Sequence, residues 1–565
     1  MMDYQALRFD HRRLAEHEAA RPTRGPVVIV GAGPVGLTLA LDLAQQGIRV
    51  VLLDDDDKLS AGSRAICFAK RTLEIFDRLG VGDAMVAKGV SWNVGKVFSK
   101  DDHVYTFNLL AEDGHKRPAF INLQQYYVEG FLCDAVLRQP DIDVRWKHKV
   151  VAVDNRADGA TLAIQSPDGN YMLVADYVVA CDGSRSPVRK ALGLESKWHA
   201  SGQTFRDRFL IADVKMTAPF PTERWFWFDP PFHRNQSVLL HKQPDNVWRI
   251  DFQLGWDADP EEEKKPERVR PRVQALLGAD AEFEFEWISV YTFACMRMDK
   301  FRHGRVLFAG DSAHLVSPFG ARGANSGVQD ADNLAWKLAL VLSGEAPDRL
   351  LDTYAREREF AADENILNST RATDFITPKS EVSKLFRDAV LALAKDHPFA
   401  RRIVNSGRLS LPATLHVSPL NTPDVDEFLG AMVPGAPAAD APVFVDGEQV
   451  WFLGLLGSDF VVVRVSQIAA LSFEPSPLAR EGWLRGTVEA SANAALTATC
   501  PLTLTLSLAG RGDRTVTPSI EWIARYDARP GTTYLFRPDQ HVCARWRQYD
   551  ETAVRAAIAR ATCTD

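Results

Sequence analysis

The stretch Val27-Val28-Ile29-Val30-Gly31-Ala32-Gly33-Pro34-Val35-Gly36, continuing apolar through Ala44, decides the fold. Its four β-branched residues make a fully buried strand, Gly31, Gly33 and Gly36 give the spacing G-x-G-x-x-G, and Pro34 pre-sets the first turn of a helix. Gly47 closes that helix. Val50 to Leu53 supplies a second buried strand, so the segment reads as a βαβ unit of a parallel sheet. The glycines allow a tight turn and close backbone approach, the helix N-terminus faces a pyrophosphate, and Asp54 at the end of the second strand accepts from ribose hydroxyls. The unit is therefore an adenine-dinucleotide site. Nicotinamide and flavin dinucleotides share the AMP half, so this turn does not separate them. Asp55, Asp56 and Asp57 read as solvated.

Outward from this unit, Lys149 to Cys181 reads as a meander with turns at Asp158-Gly159 and Pro167-Asp168-Gly169-Asn170. Phe205 to about Tyr291 holds further strand-like pieces rich in aromatics, broken by the charged loop Glu261 to Pro266. Arg305 to Ala309 returns as a buried strand, and Val328, Ala331, Ala335, Leu338 and Leu342 form the stripe of an amphipathic helix. Helices should continue to about Arg408. The run Pro434 to Pro442, rich in Pro and Ala, reads as a linker before a separate module whose strand-like start is Phe460 to Val465, with a boundary near 430.

The chain has 565 residues, 46% hydrophobic and 25% charged, which excludes a disordered or fibrous protein and implies several domains. A net charge of −8 without a basic block argues against nucleic-acid or anionic-membrane partners. The seven cysteines, Cys67, Cys133, Cys181, Cys295, Cys500, Cys543 and Cys563, contain no Cys-x-x-Cys pair, so neither a disulfide framework nor a metal site is expected and a reducing cytoplasm fits. Residues 1–25 are polar and mixed in charge, an exposed arm in place of a signal peptide. The apolar window Val27 to Ala44 is broken by glycines, a proline and Asp42, so it is no membrane span.

Two further motifs separate the dinucleotides. One is Val178-Val179-Ala180-Cys181-Asp182-Gly183-Ser184-Arg185-Ser186-Pro187-Val188-Arg189, a buried strand ending in Asp-Gly before a helix opened by Pro187. The other is Gly304 to His314, containing Ala309-Gly310-Asp311, followed by Pro318-Phe319-Gly320-Ala321-Arg322-Gly323-Ala324-Asn325. With these in the order and spacing of the first motif, the whole chain resembles the class A flavoprotein monooxygenases, the family of para-hydroxybenzoate, phenol and 3-(3-hydroxyphenyl)propionate hydroxylases.

The resemblance implies an α/β fold: a Rossmann-like FAD-binding domain (26–200 and 291–345), an inserted antiparallel-sheet substrate domain (201–290) and a helical segment (346–430). The C-terminal domain (431–565) resembles a thioredoxin-like module through Arg537 to Val542 and the trailing helix from Thr552. Lacking Cys-x-x-Cys, it is expected to be redox-inactive. The resemblance also implies FAD as cofactor, with NAD(P)H and O2 as co-substrates and oxygen transfer to an aromatic ring through a C4a-hydroperoxyflavin. Asp311 would bind the ribityl chain with Gly310 beside it, and Asp182 would serve FAD and the NAD(P)H pyrophosphate region. Arg64 and Gln125, the latter matched through Gln125-Tyr-Tyr-Val-Glu129, would touch the FAD phosphate and ribityl region.

Chemistry supports the first of these roles, since a carboxylate at a strand end accepts from sugar-alcohol hydroxyls without meeting a phosphate. Gly320, Gly323, Ala324 and Asn325 lead into a helix whose free N–H groups face the flavin's pyrimidine edge, and Pro318 would shape the place where oxygen reacts. Ala321-Arg322 departs from the family's Gly-Gln. His314 reads as structural. A dry pocket walled by Trp225, Trp227, Phe228, Phe252 and Phe293 is expected, with His241, Arg249 and Tyr291 to hold a phenol or carboxylate; for each, ordinary core packing is the alternative. The partner is a small aromatic molecule, and a homodimer is compatible with the sequence. Two other functions stay open: a flavin-dependent halogenase, faintly suggested by Trp225-Phe226-Trp227-Phe228-Asp229-Pro230, and a flavin-binding scaffold or sensor without turnover.

Overall fold

A computed structural model of the chain describes residues 4, 6–19, 21–60, 62, 64–198, 203–217, 220–404, 409–467, 502–508 and 512–565. Cys500 and Arg408 lie outside the described residues. The chain divides into two compact units, one of Met1–Asp113 and Arg117–Ala413, the other of Gly114–Lys116 and Thr414–Asp565. The fold is mixed α/β with several sheets.

The first unit is built on two eight-stranded sheets. In the first sheet Thr23–Val30 lies between Val50–Asp54 and Gly169–Ala180, parallel to both; Ile142–Trp146 and Val306–Phe308 extend the parallel run on either side. Val27 to Ile29 are fully buried, as a strand covered on both faces must be. The helices Pro34–Gln45 and Gly323–Leu342 pack together beside this sheet, and Val328, Ala331, Ala335 and Leu338 of the latter are all buried. Lys149–Arg156 and Gly159–Ser166 form the meander that ends in Gly169–Ala180, with Gly159 and Gly169 at positive φ in the turns.

The second sheet has the order His314–Leu315, Glu284–Arg297, Gln203–Lys215, Val247–Leu254, Ser237–Lys242, Arg224–Phe228, Val94–Ser99, Asp102–Asn108. It draws strands from well outside 201–290: the hairpin Val94–Asn108 joins it through a parallel pairing of Val94–Ser99 with Arg224–Phe228. One face packs under the helix Pro266–Leu277, where Leu210, Trp248, Ile250 and Phe252 meet Val269 and Val273.

Two expectations need correction. The N-terminal segment is docked, not free: the Tyr4 hydroxyl donates to Asp134 at 2.6 Å, Phe9 stacks on Trp146 at 4.2 Å, and Arg145 pairs with Glu16 at 2.8 Å. The Pro- and Ala-rich run is not a tether either. Gly435 and Ala438 donate to the carbonyls of Val542 and Gln540, and Ala436, Ala438 and Ala441 are buried in the second unit. Small residues there serve close packing, and composition alone reads the same as a linker.

The second unit holds a seven-stranded sheet in the order Glu448–Trp451, Pro442–Val445, Gly512–Pro518, Leu502–Leu508, Val461–Gln467, Thr533–Phe536, Val542–Trp546. Every pairing described in it is antiparallel, including that of Val461–Gln467 with Leu502–Leu508.

Candidate active site

The glycine turn divides its labour. Gly31 has φ +104°, and a Cβ there would stand 2.5 Å from the Cys181 carbonyl oxygen; at Gly36 it would stand 1.9 Å from that of Gly31. These two glycines are required by the protein itself. A Cβ on Gly33 would meet nothing within 4 Å, so this edge of the turn faces open space at the start of the Pro34–Gln45 helix, where the leading N–H groups have no intrahelical partner. Asp54 ties the turn down, accepting from the N–H of Ala32 at 2.6 Å and of Asp56 at 2.9 Å. Burial pushes its pKa up to about 6.

Two more strand ends converge beside this turn, because Val30 lies opposite Ala180 and Ala180 opposite Phe308 in the parallel register. After the first, Asp182 accepts from the Val188 N–H at 3.0 Å through Oδ2, while Oδ1 is enclosed without a partner among the described residues. Burial pushes this carboxyl to about 6 as well. After the second, Asp311 sits in the short turn Gly310–Ser312 with its side chain open to the cleft and no hydrogen bond among the described residues. The surrounding protein raises its pKa, against the pull of His314 and Arg64.

The turn itself is clamped from behind. Asp330 accepts from the Gly310 N–H at 2.9 Å, His314 Nε2 at 2.6 Å and Arg358 Nε at 2.6 Å, all buried. His314 is thus a structural group. Arg189 links the two later motifs, donating to the carbonyls of Ser312 at 2.7 Å and Ser184 at 2.5 Å.

Pro318 is exposed, Gly320 and Ala321 both adopt positive φ, and Gly323 opens the long helix to Leu342. A non-glycine residue at Ala321 in the left-handed region costs roughly 1 kcal/mol or more, which the surrounding structure holds in place. Asn325 spends its side chain on backbone: Oδ1 accepts from Ala69 at 2.8 Å, and Nδ2 donates to Cys67 at 2.9 Å and Ala321 at 2.6 Å. Its offering to the cleft is the backbone of the helix start, shared with Ala324. Arg322 turns toward the helix Leu350–Ile376 and donates to Asn365 at 2.8 Å; burial lowers its pKa to about 10.

Gln125 acts through a loop. Its amide donates to Ser60 Oγ at 3.0 Å and Glu129 at 2.8 Å and accepts from the Ala65 N–H at 3.1 Å, which fixes the segment carrying the exposed Arg64. Arg249 donates to the Arg64 carbonyl at 3.3 Å, and Arg64 and Asp311 both act electrostatically on Tyr291. That is the junction between nucleotide-side loops and the second sheet.

Alternation along strands sorts the aromatic candidates. Arg249 and Asp251 share one face of Val247–Leu254; Trp248, Ile250 and Phe252 take the other. His241 is the register partner of Arg249, and Tyr291 of Phe209. Phe252, Trp227 and Trp225 belong to the opposite face, in or against the core beneath Pro266–Leu277, so the structure does not bring them to Tyr291, His241 and Arg249. Phe228 packs with Val97, Tyr105 and Leu391 and meets Phe375 edge-on at 5.8 Å. Phe293 is the aromatic that stays at the junction, with Phe209 at 6.1 Å and Phe319 at 5.9 Å.

Burial lowers the His241 pKa to about 4 despite Asp251 at 3.5 Å, so it is neutral at pH 7. Arg249, 3.0 Å from Asp251, keeps a raised pKa against its burial, and desolvation also raises the half-buried Tyr291 phenol, so it stays protonated. Sequence reading overlooked Phe209, Phe319, Asp251 and Arg224. Arg249-x-Asp251, flanked by Trp248 and Ile250, carried the period-two signal that would have found Asp251.

These features fit a dinucleotide with a sugar-alcohol chain: open backbone at Gly33, the exposed Asp311 carboxylate without a hydrogen bond among the described residues, and a helix start at Gly323. Residues 24–369 match the FAD binding domain family. A 3-(3-hydroxyphenyl)propionate/3-hydroxycinnamic acid hydroxylase of Mycolicibacterium smegmatis is 31% identical over 390 residues, 67% of this chain and 66% of its own length, just short of two thirds. Among solved structures, the flavin-dependent monooxygenase PieE in complex with FAD and substrate superposes with a TM-score of 0.74 at 21% identity, over 96% of this chain and 100% of that one. The p-nitrophenol 4-monooxygenase PnpA of Pseudomonas putida DLL-E4 gives 0.60 at 27% identity, over 68% and 98%. The fold, the converging strand ends and these likenesses agree: the chain belongs to the FAD-binding family of flavin-dependent monooxygenases and aromatic hydroxylases.

Proposed function

We propose that this chain hydroxylates a small aromatic molecule with electrons from NAD(P)H and one atom of O2. The observation that carries the reading is the junction itself: Arg249 of the second sheet donates to the carbonyl of Arg64 on the nucleotide side, and Arg64 and Asp311 both act electrostatically on Tyr291 of that sheet. The parallel-sheet region is the FAD-binding part and the second sheet the substrate part.

Asp311 would accept from the ribityl hydroxyls, Asp54 from the adenosine ribose, and Gly33 would let the pyrophosphate approach the backbone. Bound FAD would accept hydride from NAD(P)H and activate oxygen. The N–H groups opening the Gly323–Leu342 helix would favour negative charge at its pyrimidine edge. Phe209, Phe293 and Phe319 keep water from the junction, which protects the activated oxygen from wasteful release. Tyr291, held protonated, donates a hydrogen bond to an oxygen on the ring; His241, held neutral, adds no charge. Trp225 and Trp227 lie on the core side of the sheet, which leaves nothing in favour of a halogenase.

The test is direct. The purified protein should carry FAD, and phenols, hydroxybenzoates or phenylpropanoids should stimulate NAD(P)H oxidation with matched hydroxylated product. Bound flavin with no such product from any ring would leave a scaffold, and product that required halide would leave a halogenase.

A further inference from the structure

Arg224 opens the strand Arg224–Phe228 on the second sheet. It is only 8% exposed, yet its guanidinium makes no hydrogen bond and no ion pair among the described residues, and Nη1 is enclosed without an acceptor. The Trp92 ring stands 5.8 Å from the guanidinium carbon. A buried cation with no counter-charge is costly, because the water it gave up is not replaced.

The carboxylate that acts on it is engaged elsewhere: Asp251 takes Arg249 at 3.0 Å and faces His241 at 3.5 Å. Burial weakens the hold of Arg224 on its proton; Cys67 and Asp251 act against this and Arg249 adds to it. Trp92 and Cys67 belong to a small apolar cluster that Ala321, in the loop leading to the Gly323–Leu342 helix, packs against. By strand alternation Arg224, next to Trp225 and its partner Leu240, falls on the face of the second sheet that carries His241 and Arg249, and its planar guanidinium suits a carboxylate.

Resting on the hydroxylase reading above, we propose that Arg224 is the anion anchor of the substrate pocket and that the ring bound there carries a carboxylate. The residue is a specificity determinant and takes no part in oxygen transfer.

The experiment compares holoenzymes of wild type, Arg224→Met and Arg224→Lys. Dissociation constants for 3-(3-hydroxyphenyl)propionate and its methyl ester are read from perturbation of the bound-flavin absorbance, which needs no turnover. Wild type should prefer the acid by about tenfold or more. Arg224→Met should weaken the acid by about 10- to 100-fold while moving the ester by less than about threefold, and Arg224→Lys should fall between. Because an unpaired charge is removed, Arg224→Met should melt no lower than wild type without ligand.

Equal affinity of wild type for acid and ester, or a preference that survives in Arg224→Met, would overturn the anchor, and the first comparison stands even if that variant does not fold. Tighter binding of 4-nitrophenolate than of the carboxylate by wild type, abolished in Arg224→Met, would move the anchor's partner to a ring oxygen and overturn the carboxylate. An acid preference lost in Arg224→Met but accompanied by no hydroxylated product from any ring would uphold the anchor and sink the hydroxylase reading instead.

Discussion

Asp311 and Asp330 make opposite predictions from the same side chain. Asp311 faces the cleft without a hydrogen bond among the described residues, so Asp311→Ala removes nothing the apoprotein uses, and its melting temperature should move by no more than a degree or two. What it removes is an acceptor for sugar hydroxyls. A hydrogen bond to a charged group contributes about 1.5–3 kcal/mol, so one lost bond should weaken FAD by about 10- to 100-fold. Asp330→Ala strands three donors instead: the Gly310 N–H, His314 Nε2 and Arg358 Nε. Breaking such a buried pair costs about 3–5 kcal/mol, and it should appear as a lower melting temperature before any flavin is added. The assay is FAD titration of apoprotein by flavin fluorescence quenching, alongside apoprotein thermal melts. Asp311→Ala that binds FAD normally, or that destabilises the apoprotein as much as Asp330→Ala, would refute this division of labour.

The glycines give a second contrast: Gly36→Ala should prevent stable folding because its Cβ meets the Gly31 carbonyl oxygen at 1.9 Å, whereas Gly33→Val should fold and fail to retain FAD; circular dichroism and flavin content separate the two. His241, buried with a pKa of about 4 against an ordinary 6.5, stays neutral in the native state while the unfolded chain takes up a proton. Its contribution is therefore fully present above pH 6.5 and is lost as the pH falls toward 4, so the stability of wild type relative to His241→Gln should decline by about 3 kcal/mol across that window in urea titrations; a flat difference would count against it. Tyr291→Phe should keep FAD and lower the ratio of hydroxylated product to NAD(P)H consumed, and an unchanged ratio would remove Tyr291 from the pocket.

Local chemistry was legible in the sequence wherever it repeats at short range. The glycine spacing, the strand before it and Asp54 after it lie within thirty residues, and each demands the next; the helix stripe from Val328 was equally plain. Pocket membership was less legible because it depends on which face of a strand looks inward. Phe252 and Arg249 are three residues apart and lie on opposite faces, so they could not both line one wall, a consequence of the period of two that a list of aromatics ignores. Arg224 gave no signal at all, since an arginine starting a Trp-Phe-Trp run reads as the solvated end of a strand until the sheet is assembled around it. The Pro- and Ala-rich run near 434 reads alike for a tether and for tight packing.

The hairpin Val94–Asn108 joins the second sheet through a parallel pairing with Arg224–Phe228, across more than a hundred residues of chain. A ribosome delivering this protein releases the hairpin more than a hundred residues before its mate exists, so the nascent chain waits with an unpaired edge until that strand emerges. Engineers face the same stitch: residues 201–290 cannot be excised and exchanged as a cassette for a relative's, because the graft must also accept a hairpin encoded a hundred residues upstream.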